Sequence, residues 1–428
     1  MLSSSVFKKL AWATVAITSF LALVHQQGFS ISTTIPLFSK TKTNETSFVG
    51  SNFAREEQFL PLGARDVDVL PKWIQEYIVF HEKEKKRSKE GDASVKFLVM
   101  SCVSKACHGG TVDRLTPVPF FVLLAALSGR VLLIHWTIPS ELENFLVPPT
   151  GGIDWTKPPH VDLGAATNPS TRNWMNEATP RTLEDILNKY NKSQVLNLSF
   201  GAGSTQFMKM EQLLADHTKQ ELKYGEESQE DWTAIFPTLF SKVFTPSPRL
   251  AEFMVKEITN LGLVRGNFLA VHGRVHYPFR KDGKPQYPTV EEESQILRNA
   301  IDCAINIREK ESDANIYVAC DRIHVAESIK DEYESEFPGL VKVDEGVNED
   351  QHIAFSTFND GAHEDVVVEP FLPTFSDLWI MGMARCVVHG VGGYGSFSAM
   401  LAGNRCTYSH RRGEKRFWTA EHTQCPNK

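Results

Sequence analysis

The sequence predicts an α/β protein with two units, each built around a parallel β-sheet. Continuous apolar runs, typical of strands buried on both faces, alternate with segments in which apolar residues have helical spacing. The strand-like runs Lys96–Ser101 and Val131–Trp136 flank an apolar helix at Phe120–Leu127. Strand, helix, strand is the repeating order of a parallel sheet. Glycines also stand between several strands and the helices that follow them.

The composition is that of a globular protein rather than a disordered or fibrous one, with 42% hydrophobic and 23% charged residues. A chain of 428 residues is long enough for more than one domain. The formal net charge is -7, and no dense basic run occurs. We therefore expect no nucleic-acid partner.

The N-terminus carries a targeting signal. Lys8 and Lys9 precede an apolar run from Leu10 to Val24, which is typical of a signal peptide or a signal-anchor. No clean cleavage site follows, so we favour a cytosolic tail at 1–9 and an uncleaved anchor at 10–25; a buried core helix is the alternative. Residues 26–92 then form a predicted stem containing one helix at Pro71–Glu84. We expect a single-pass type II protein of the Golgi or ER membrane, with its globular part in the lumen.

Three further features of the sequence are its cysteines, one DxD pattern and its glycosylation sequons. Seven cysteines permit up to three disulfides with one thiol left over, and Cys102 and Cys107 are close enough in sequence for a local loop. Asp66 and Asp68 form a DxD pattern, but no strand or glycine turn places it at a site. The glycosylation sequons begin at Asn44, Asn191 and Asn197.

The first unit, residues 93–261, presents a glycine loop after its first strand. Gly109 and Gly110 allow the backbone to approach a ligand closely, while Asp113 and Arg114 place a carboxylate and a guanidinium at the start of the next helix. The alternative is that Asp113 only caps the helix and Arg114 is a surface charge. The remaining predicted elements are a strand at Val195–Phe200 and helices at Thr205–Lys219 and Arg249–Leu261.

The second unit, residues 262–428, opens with a buried strand at Asn267–His272 that leads into Arg274. Open parallel sheets bind ligands at the carboxyl ends of their strands, so His272 and Arg274 are candidate site residues. The planar guanidinium of Arg274 suits a phosphate, although a structural ion pair is the alternative.

A second acid follows a strand of the same unit. A long helix at Val290–Lys310 leads to a strand at Ile316–Cys320, which ends in Asp321. An acid at this place suits the hydroxyls of a ribose or the edge of a guanine, and helix capping is the alternative. A helix from Ile323 and a strand at Val341–Val343 come next.

The most distinctive stretch is Phe375–Gly403, which predicts helix, strand, glycine loop and helix in that order. Ser376 is a predicted N-cap that places Asp377 in the first turn, and Cys386–His389 is the strand. Backbone amides of the glycine loop can face a phosphate at the N-terminus of the last helix, and a tight turn without a ligand is the alternative. The loop residues of interest are Gly393, Tyr394, Gly395 and Ser396.

Three blocks in this order resemble the fucosyltransferase superfamily, which includes the core α-1,6-fucosyltransferases, the bacterial nodulation fucosyltransferases and the protein O-fucosyltransferases. The first block is CHGGTVDRL with the strand VLLIHW, and the second is the strand that ends in His272-x-Arg274. The third is NIYVACDR with DLWIMGMARCVVHGVGGYGSFSAML. The chain resembles a divergent member of the superfamily.

The resemblance implies a GT-B architecture, in which two Rossmann-like domains face each other across a cleft, with the acceptor on the N-terminal side. It implies an inverting glycosyltransferase that moves fucose from GDP-fucose to a hydroxyl of a glycan or glycoprotein, with no metal and no other cofactor. By match, Arg274 holds the donor diphosphate. The other residues that the match places at the donor are Asp321, Asp377, Gly393, Tyr394, Gly395 and Ser396. Gly109, Gly110 and Arg114 are further candidates for binding the donor because they follow the first strand.

The chain departs from the superfamily after the second block, where Val275–Arg280 replaces a longer run of basic and acidic residues. The catalytic base therefore stays open among Asp113, His108, His272 and His276, because a base must reach the acceptor hydroxyl. Two alternatives remain: the same fold with another nucleotide sugar, and a catalytically inactive glycan-binding protein.

Overall fold

The computed structural model describes residues 57–103, 110–164, 166–167, 189–199, 229–277, 279–281, 284–308, 314–343, 368–403, 406–409 and 423–425. Within them, the predicted α/β class with parallel sheets is confirmed. The predicted anchor, the predicted helix at Thr205–Lys219 and the residues Cys107, His108 and Gly109 lie outside the described residues. No helix among the described residues combines the length and the apolar character needed to cross a bilayer.

The first sheet has three parallel strands in the order β2-β1-β4. All six residues of β1 are buried, which explains the continuous apolar run in its sequence. Two short strands, β3 and β5, pair antiparallel beside it. The elements are β1 Phe97–Cys102, α2 Thr111–Leu115, α3 Val118–Leu127, β2 Val131–Trp136, β3 Leu146–Val147, β4 Val195–Ser199 and β5 Thr245–Pro246.

Helix α1, Lys72–Lys89, packs against this sheet instead of standing apart in a stem. The Tyr77 hydroxyl donates to the Arg130 carbonyl at 3.1 Å and accepts from the Leu132 N–H at 3.0 Å. Nε2 of the buried His81 donates to the Leu132 carbonyl at 3.0 Å. The apolar face of α1 and these polar contacts make it part of the first core, so the predicted stem does not extend through residue 92 as a separate segment.

The second sheet has six parallel strands in the order β10-β9-β6-β11-β12-β13, and a short antiparallel hairpin, β7 with β8, follows β6 in the chain. Strand β6 lies between β9 and β11, so the carboxyl ends of these three strands meet at one edge. The strands are β6 Phe268–Gly273, β7 Phe279–Lys281, β8 Lys284–Gln286, β9 Asn315–Cys320, β10 Val341–Val343, β11 Cys386–His389, β12 Thr407–Ser409 and β13 Thr423–Gln424.

Helices cover both faces of the second sheet. Leu269 and Val271 of β6 pack with α6 and α7 on one face, whereas Phe268 and Ala270 pack with α5, α8 and α9 on the other. The alternation follows from the two-residue period of a strand. The helices are α5 Pro248–Leu261, α6 Val290–Arg308, α7 Ile323–Glu334, α8 Leu372–Gly382 and α9 Gly393–Leu401.

Helix α4, Gln229–Val243, was not predicted from the sequence, and it joins the two units. The ring centroid of Phe240 lies 5.5 Å from that of Trp379 and 5.5 Å from that of Phe397. Phe145 of the first unit stacks on Phe375 of the second at 4.3 Å. The units therefore share one aromatic core rather than meeting only through a linker.

Disulfides join Cys303 to Cys425 and Cys386 to Cys406. Cys102 is also disulfide-bonded. Cys320 is the free thiol among the described residues. These bonds lie within the limit of three disulfides that seven cysteines permit.

Candidate functional site

The candidate site lies at the edge where β9, β6 and β11 end. Asp321 follows β9, Arg274 follows β6, and the glycine loop of Gly392 follows β11. Three of the predicted features therefore come together at the carboxyl ends of adjacent parallel strands, which is where open α/β sheets bind their ligands.

Gly392 shapes the turn between β11 and α9. Its φ is +94°, a backbone conformation that side-chain-bearing residues rarely adopt. A Cβ atom at Gly392 would lie 3.0 Å from Nη1 of Arg274, so the guanidinium lies against this turn. The arrangement places a fixed positive charge beside the N-terminus of α9, and the helix dipole favours an anion at the same place.

Arg274 itself is half-buried. Its guanidinium carbon lies 4.7 Å from the centre of the Tyr277 ring, a cation–π contact that restricts the side chain. A guanidinium that is already oriented loses less conformational entropy when it binds a diphosphate.

Asp321 holds the backbone that follows Arg274. Its Oδ1 accepts hydrogen bonds from the N–H of Val275 at 2.8 Å and of His276 at 3.3 Å. Burial raises the pKa of Asp321, and these two bonds and the charge of Arg274 act in the opposite direction. The structure thus gives Asp321 a backbone-capping contact, and its predicted contact with the nucleotide stays a prediction.

Gly395 lets α9 approach the strands closely. A Cβ atom there would lie 2.6 Å from Cβ of His389 and 2.9 Å from both Cβ and Nδ1 of His272. His272 is 7% exposed, and its ring centroid lies 5.2 Å from that of Tyr394. His272 is therefore packed under the first turn of α9. To act as the predicted base, it would have to be reached by the acceptor hydroxyl from the side of this turn.

The polar groups of the glycine loop are engaged within the protein. The Tyr394 hydroxyl donates to the carbonyl of Thr374. The Ser396 hydroxyl donates to the carbonyl of Gly393 at 2.9 Å. These bonds fix the first turn of α9 and leave its backbone amides as the groups best placed for an anion.

The prediction that Ser376 caps α8 is wrong, because the helix begins four residues earlier at Leu372. Pro373 in the first turn suits that earlier start. Ser376 is fully buried, and its hydroxyl donates to Glu257 on α5. Asp377 therefore lies within α8 rather than in its first turn.

Asp377 belongs to a buried acid cluster. The Tyr317 hydroxyl lies 2.5 Å from Oδ1 of Asp377 and 2.7 Å from Oε1 of Glu257. A hydroxyl has one hydrogen to donate, so the second carboxyl must carry a proton when both contacts are made. Burial raises the pKa of Tyr317 well above its ordinary value, with the charges of Asp377 and Glu257 adding to the effect.

In the first unit, Asp113 and Arg114 both have structural contacts. Asp113 Oδ2 accepts from the N–H of Gly110 at 2.8 Å and so caps α2. Arg114 is 1% exposed, donates to the Ile138 carbonyl and lies 4.9 Å from the centre of the Trp136 ring. The alternative interpretation of Arg114 as a surface charge is wrong, and burial lowers its pKa to about 9.

The first unit nevertheless reaches the glycine loop. Cγ1 of Val112 on α2 lies 3.5 Å from the position that a Cβ atom of Gly393 would occupy. The helix that follows the first predicted glycine loop therefore lies beside the second one. The predicted roles of Asp113, Gly110 and Arg114 at the donor stay predictions, as do those of His108 and Gly109 outside the described residues.

The structure adds Tyr287 and Glu293, which the sequence did not indicate, as partners of the candidate base His276. Nδ1 of His276 lies 2.5 Å from Oε1 of Glu293, and its ring stacks on Tyr287 at 4.7 Å. Glu293 is one of three successive glutamates at the start of α6, and it is 1% exposed. Only the packing of α6 distinguishes it from its neighbours.

Comparison with known proteins gives a likeness of fold. No family model and no curated protein match the sequence. The solved structure of an arginine-to-lysine mutant of Arabidopsis thaliana FUT1 in complex with GDP matches with a TM-score of 0.50 and 13% identity, covering 81% of this chain and 80% of that chain. The fold of this chain is therefore similar to that of a plant fucosyltransferase, and the resemblance predicted from the motifs is confirmed at the level of the fold.

A weaker likeness extends to bacterial proteins. The fucosyltransferase NodZ from Bradyrhizobium matches with a TM-score of 0.40 and 13% identity, covering 72% of this chain and 93% of that chain. NodZ alpha-1,6-fucosyltransferase soaked with GDP-fucose gives a TM-score of 0.38. Scores of this size support no conclusion about the fold.

Proposed function

We propose that this protein is a glycosyltransferase that moves fucose from GDP-fucose to a hydroxyl of a glycan or glycoprotein. The contact that supports this most directly is the guanidinium of Arg274 against the Gly392 turn, at the N-terminus of α9. Positive charge at this place stabilises the diphosphate that accumulates charge as GDP departs. A fold shared with a fucosyltransferase that was crystallised with GDP supports the choice of nucleotide.

The finer features belong to the same proposal. The two sheet-based units form a GT-B arrangement, the transfer inverts the anomeric centre, and no metal or other cofactor takes part. The protein is held in the Golgi or ER membrane by its N-terminal anchor, with the catalytic part in the lumen. Arg274 takes the diphosphate, and the acceptor hydroxyl is deprotonated by a base among Asp113, His108, His272 and His276.

Nucleotide-dependent stabilisation tests the donor. Thermal unfolding of the full chain is measured with GDP, with UDP and without nucleotide. GDP at one hundred times its Kd should stabilise the fold by about 2.7 kcal/mol, because it binds only the folded state. Arg274→Ala should abolish the shift, whereas Arg298→Ala, which removes an exposed ion pair with Glu332 on the surface of α6, should leave it unchanged.

The alternatives give different results in the same experiment. Stabilisation by UDP and not by GDP would indicate another nucleotide sugar. No response to either nucleotide, with glycan binding retained, would indicate an inactive glycan-binding protein. Release of GDP from GDP-fucose on addition of acceptor then separates catalysis from binding.

A further inference from the structure

His276 is held from two sides. Nδ1 at the edge of its ring lies 2.5 Å from Oε1 of Glu293 on α6. The face of the ring stacks on Tyr287, with ring centroids 4.7 Å apart. We call His276, Tyr287, Glu293 and Arg322 the His276 clamp. Tyr287 is 55% exposed and His276 is 34% exposed at its side chain, so the clamp lies at the surface of the sheet edge.

Glu293 is the buried member of the clamp, with a side-chain exposure of 1%. A carboxylate removed from water needs partners of opposite charge or hydrogen-bond donors. Its Oε1 accepts from Nδ1 of His276, and its Oε2 lies 3.7 Å from Nε of Arg322. Because an ionised carboxylate can only accept, the shared hydrogen belongs to the imidazole.

The clamp acts on the segment that carries Arg274. His276 is two residues beyond Arg274, and its backbone N–H together with that of Val275 donates to Asp321. Asp321 thus fixes the backbone at Val275 and His276, and Glu293 fixes the imidazole of His276. Two acids from different elements, one after β9 and one on α6, hold the short stretch that leaves β6.

We propose that Glu293 is a positioning residue of the nucleotide site, acting through His276 to keep Arg274 over the Gly392 turn. The inference rests on the proposed function, since it takes the diphosphate of a guanine nucleotide as the ligand of Arg274. The side chain of Glu293 is 1% exposed, and it acts by holding the imidazole of His276. Its effect reaches the site through the backbone that His276 shares with Arg274.

The geometry explains why this position matters. The guanidinium of Arg274 has to lie against Gly392, where a Cβ atom would be only 3.0 Å from Nη1. A misplacement of about 1 Å can cost about a hundredfold in reaction rate, so the position of Arg274 bears on transfer as well as on binding. A segment released by the loss of Glu293 allows Arg274 to leave this position, and the affinity for GDP falls.

The test is the Kd of GDP, measured by calorimetry on the full chain. Glu293→Ala should weaken GDP binding about tenfold, since coupled residues commonly interact by about 1 to 2 kcal/mol. His276→Ala should have a similar effect, and the double variant should bind GDP no more weakly than either single variant.

Matched variants separate positioning from general stability. Glu292→Ala removes the neighbouring acid, which caps the start of α6 by accepting from the Thr289 N–H at 2.8 Å, and it should leave the Kd unchanged. Glu293→Gln keeps an acceptor for Nδ1 and should recover most of the affinity. If Glu293→Ala does not fold, Glu293→Asp serves in its place, because it retracts the carboxylate from His276, and it should weaken GDP binding at least about threefold.

Several results would overturn the inference. One is a lower melting temperature for Glu293→Ala with the Kd within about twofold of wild type. Others are additive effects of Glu293→Ala and His276→Ala on the Kd, and an unchanged Kd for Glu293→Asp. If the wild-type chain binds GDP in those cases, only this inference fails. No GDP binding by the wild type overturns the proposed function and the inference together.

Discussion

The two arginines of the candidate site occupy similar places in the fold and have opposite surroundings. Arg114 and Arg274 each lie beyond the carboxyl end of a parallel strand, near a glycine loop. Arg114 is 1% exposed, under Trp136 and bonded to a backbone carbonyl. Arg274 is half-buried, on Tyr277 and against Gly392.

The difference shows that topology alone does not assign a function to an arginine. Burial lowers the pKa of Arg114 to about 9, which means that its charged form is held in the core at a cost. A side chain in that position stabilises packing. Arg274 keeps contact with solvent and faces a helix N-terminus, so its charge is available to an anion.

The largest expected effect is on catalysis by Arg274. Arg274→Ala should reduce kcat for transfer from GDP-fucose by about 10²- to 10³-fold, because it removes charge stabilisation of the departing diphosphate. The free energy of unfolding should change little, since the side chain is half-buried. Steady-state release of GDP gives the rate, and a thermal melt gives the stability. An equal loss of kcat in a well-folded Arg114→Ala protein would remove the distinction between the two arginines.

The converse applies to Arg114. Arg114→Ala should lower the free energy of unfolding by about 2 to 3 kcal/mol, since it removes the Trp136 contact and one of the two donors to the buried Ile138 carbonyl, the other being Nε1 of Trp136. Urea denaturation followed by circular dichroism measures this loss, with Arg274→Ala as the control. A stability equal to that of Arg274→Ala would show that the burial of Arg114 is energetically neutral.

Lowering the pH should destabilise the first unit before the second because of His81. Burial lowers the pKa of His81 from 6.5 to about 4, so the unfolded chain binds a proton at a higher pH than the folded one. Stability is therefore complete above pH 6.5 and is lost as the pH falls towards 4, by up to about 3 kcal/mol. Hydrogen exchange should show the amides of β2 losing protection before those of β6.

A variant without the imidazole provides the control for this prediction. His81→Phe should have a flatter dependence of unfolding free energy on pH over the same interval, because the proton-binding group of His81 is gone, while His135, whose pKa is also lowered by burial, remains. Parallel curves for the variant and the wild type would assign the acid sensitivity to other groups.

The smallest expected effect is that of an alanine substitution in each of the two glycine loops. Gly392→Ala should cost about 1 to 2 kcal/mol of stability because of its positive φ, and its Cβ should displace Arg274 and weaken GDP binding. Gly110 has φ -79° and ψ -175°, an extended conformation open to any residue, so Gly110→Ala should be tolerated. Calorimetry with GDP on both variants gives the comparison, and equal affinities would place the nucleotide away from the Gly392 turn.

The longer buried strands were predictable from the sequence, whereas the short strands β3, β5, β7, β8, β12 and β13 were not predicted. Two of the helices were also predicted wrongly or not at all. Val131–Trp136 and Cys386–His389 are confirmed because strands buried on both faces leave a continuous apolar run. Helix α8 starts earlier than predicted because Pro373 can occupy the first turn of a helix. Helix α4 contains Pro237 and gains its stability from aromatic contacts with distant residues, which no local pattern records.

The charged residue that faces the candidate site could be predicted from the sequence, whereas the residues that hold the site in place could not. Arg274 and the glycine loop follow from residue type and position after a strand. Glu293 does not, because three successive glutamates look alike until the phase of α6 against the sheet buries one of them. The same limit applies to Arg114, whose burial depends on Trp136 and Ile138 in the next strand and loop.

The pairing of β6 with β11 has a consequence for how the molecule matures. These neighbours are separated in the chain by β7, β8, α6, β9, α7, β10 and α8, and such distant pairings form slowly because a long loop must close first. Arg274 and Gly392 meet only when that pairing is made. The ability to bind nucleotide is therefore expected late in refolding, and the time at which binding begins would report when β6 pairs with β11.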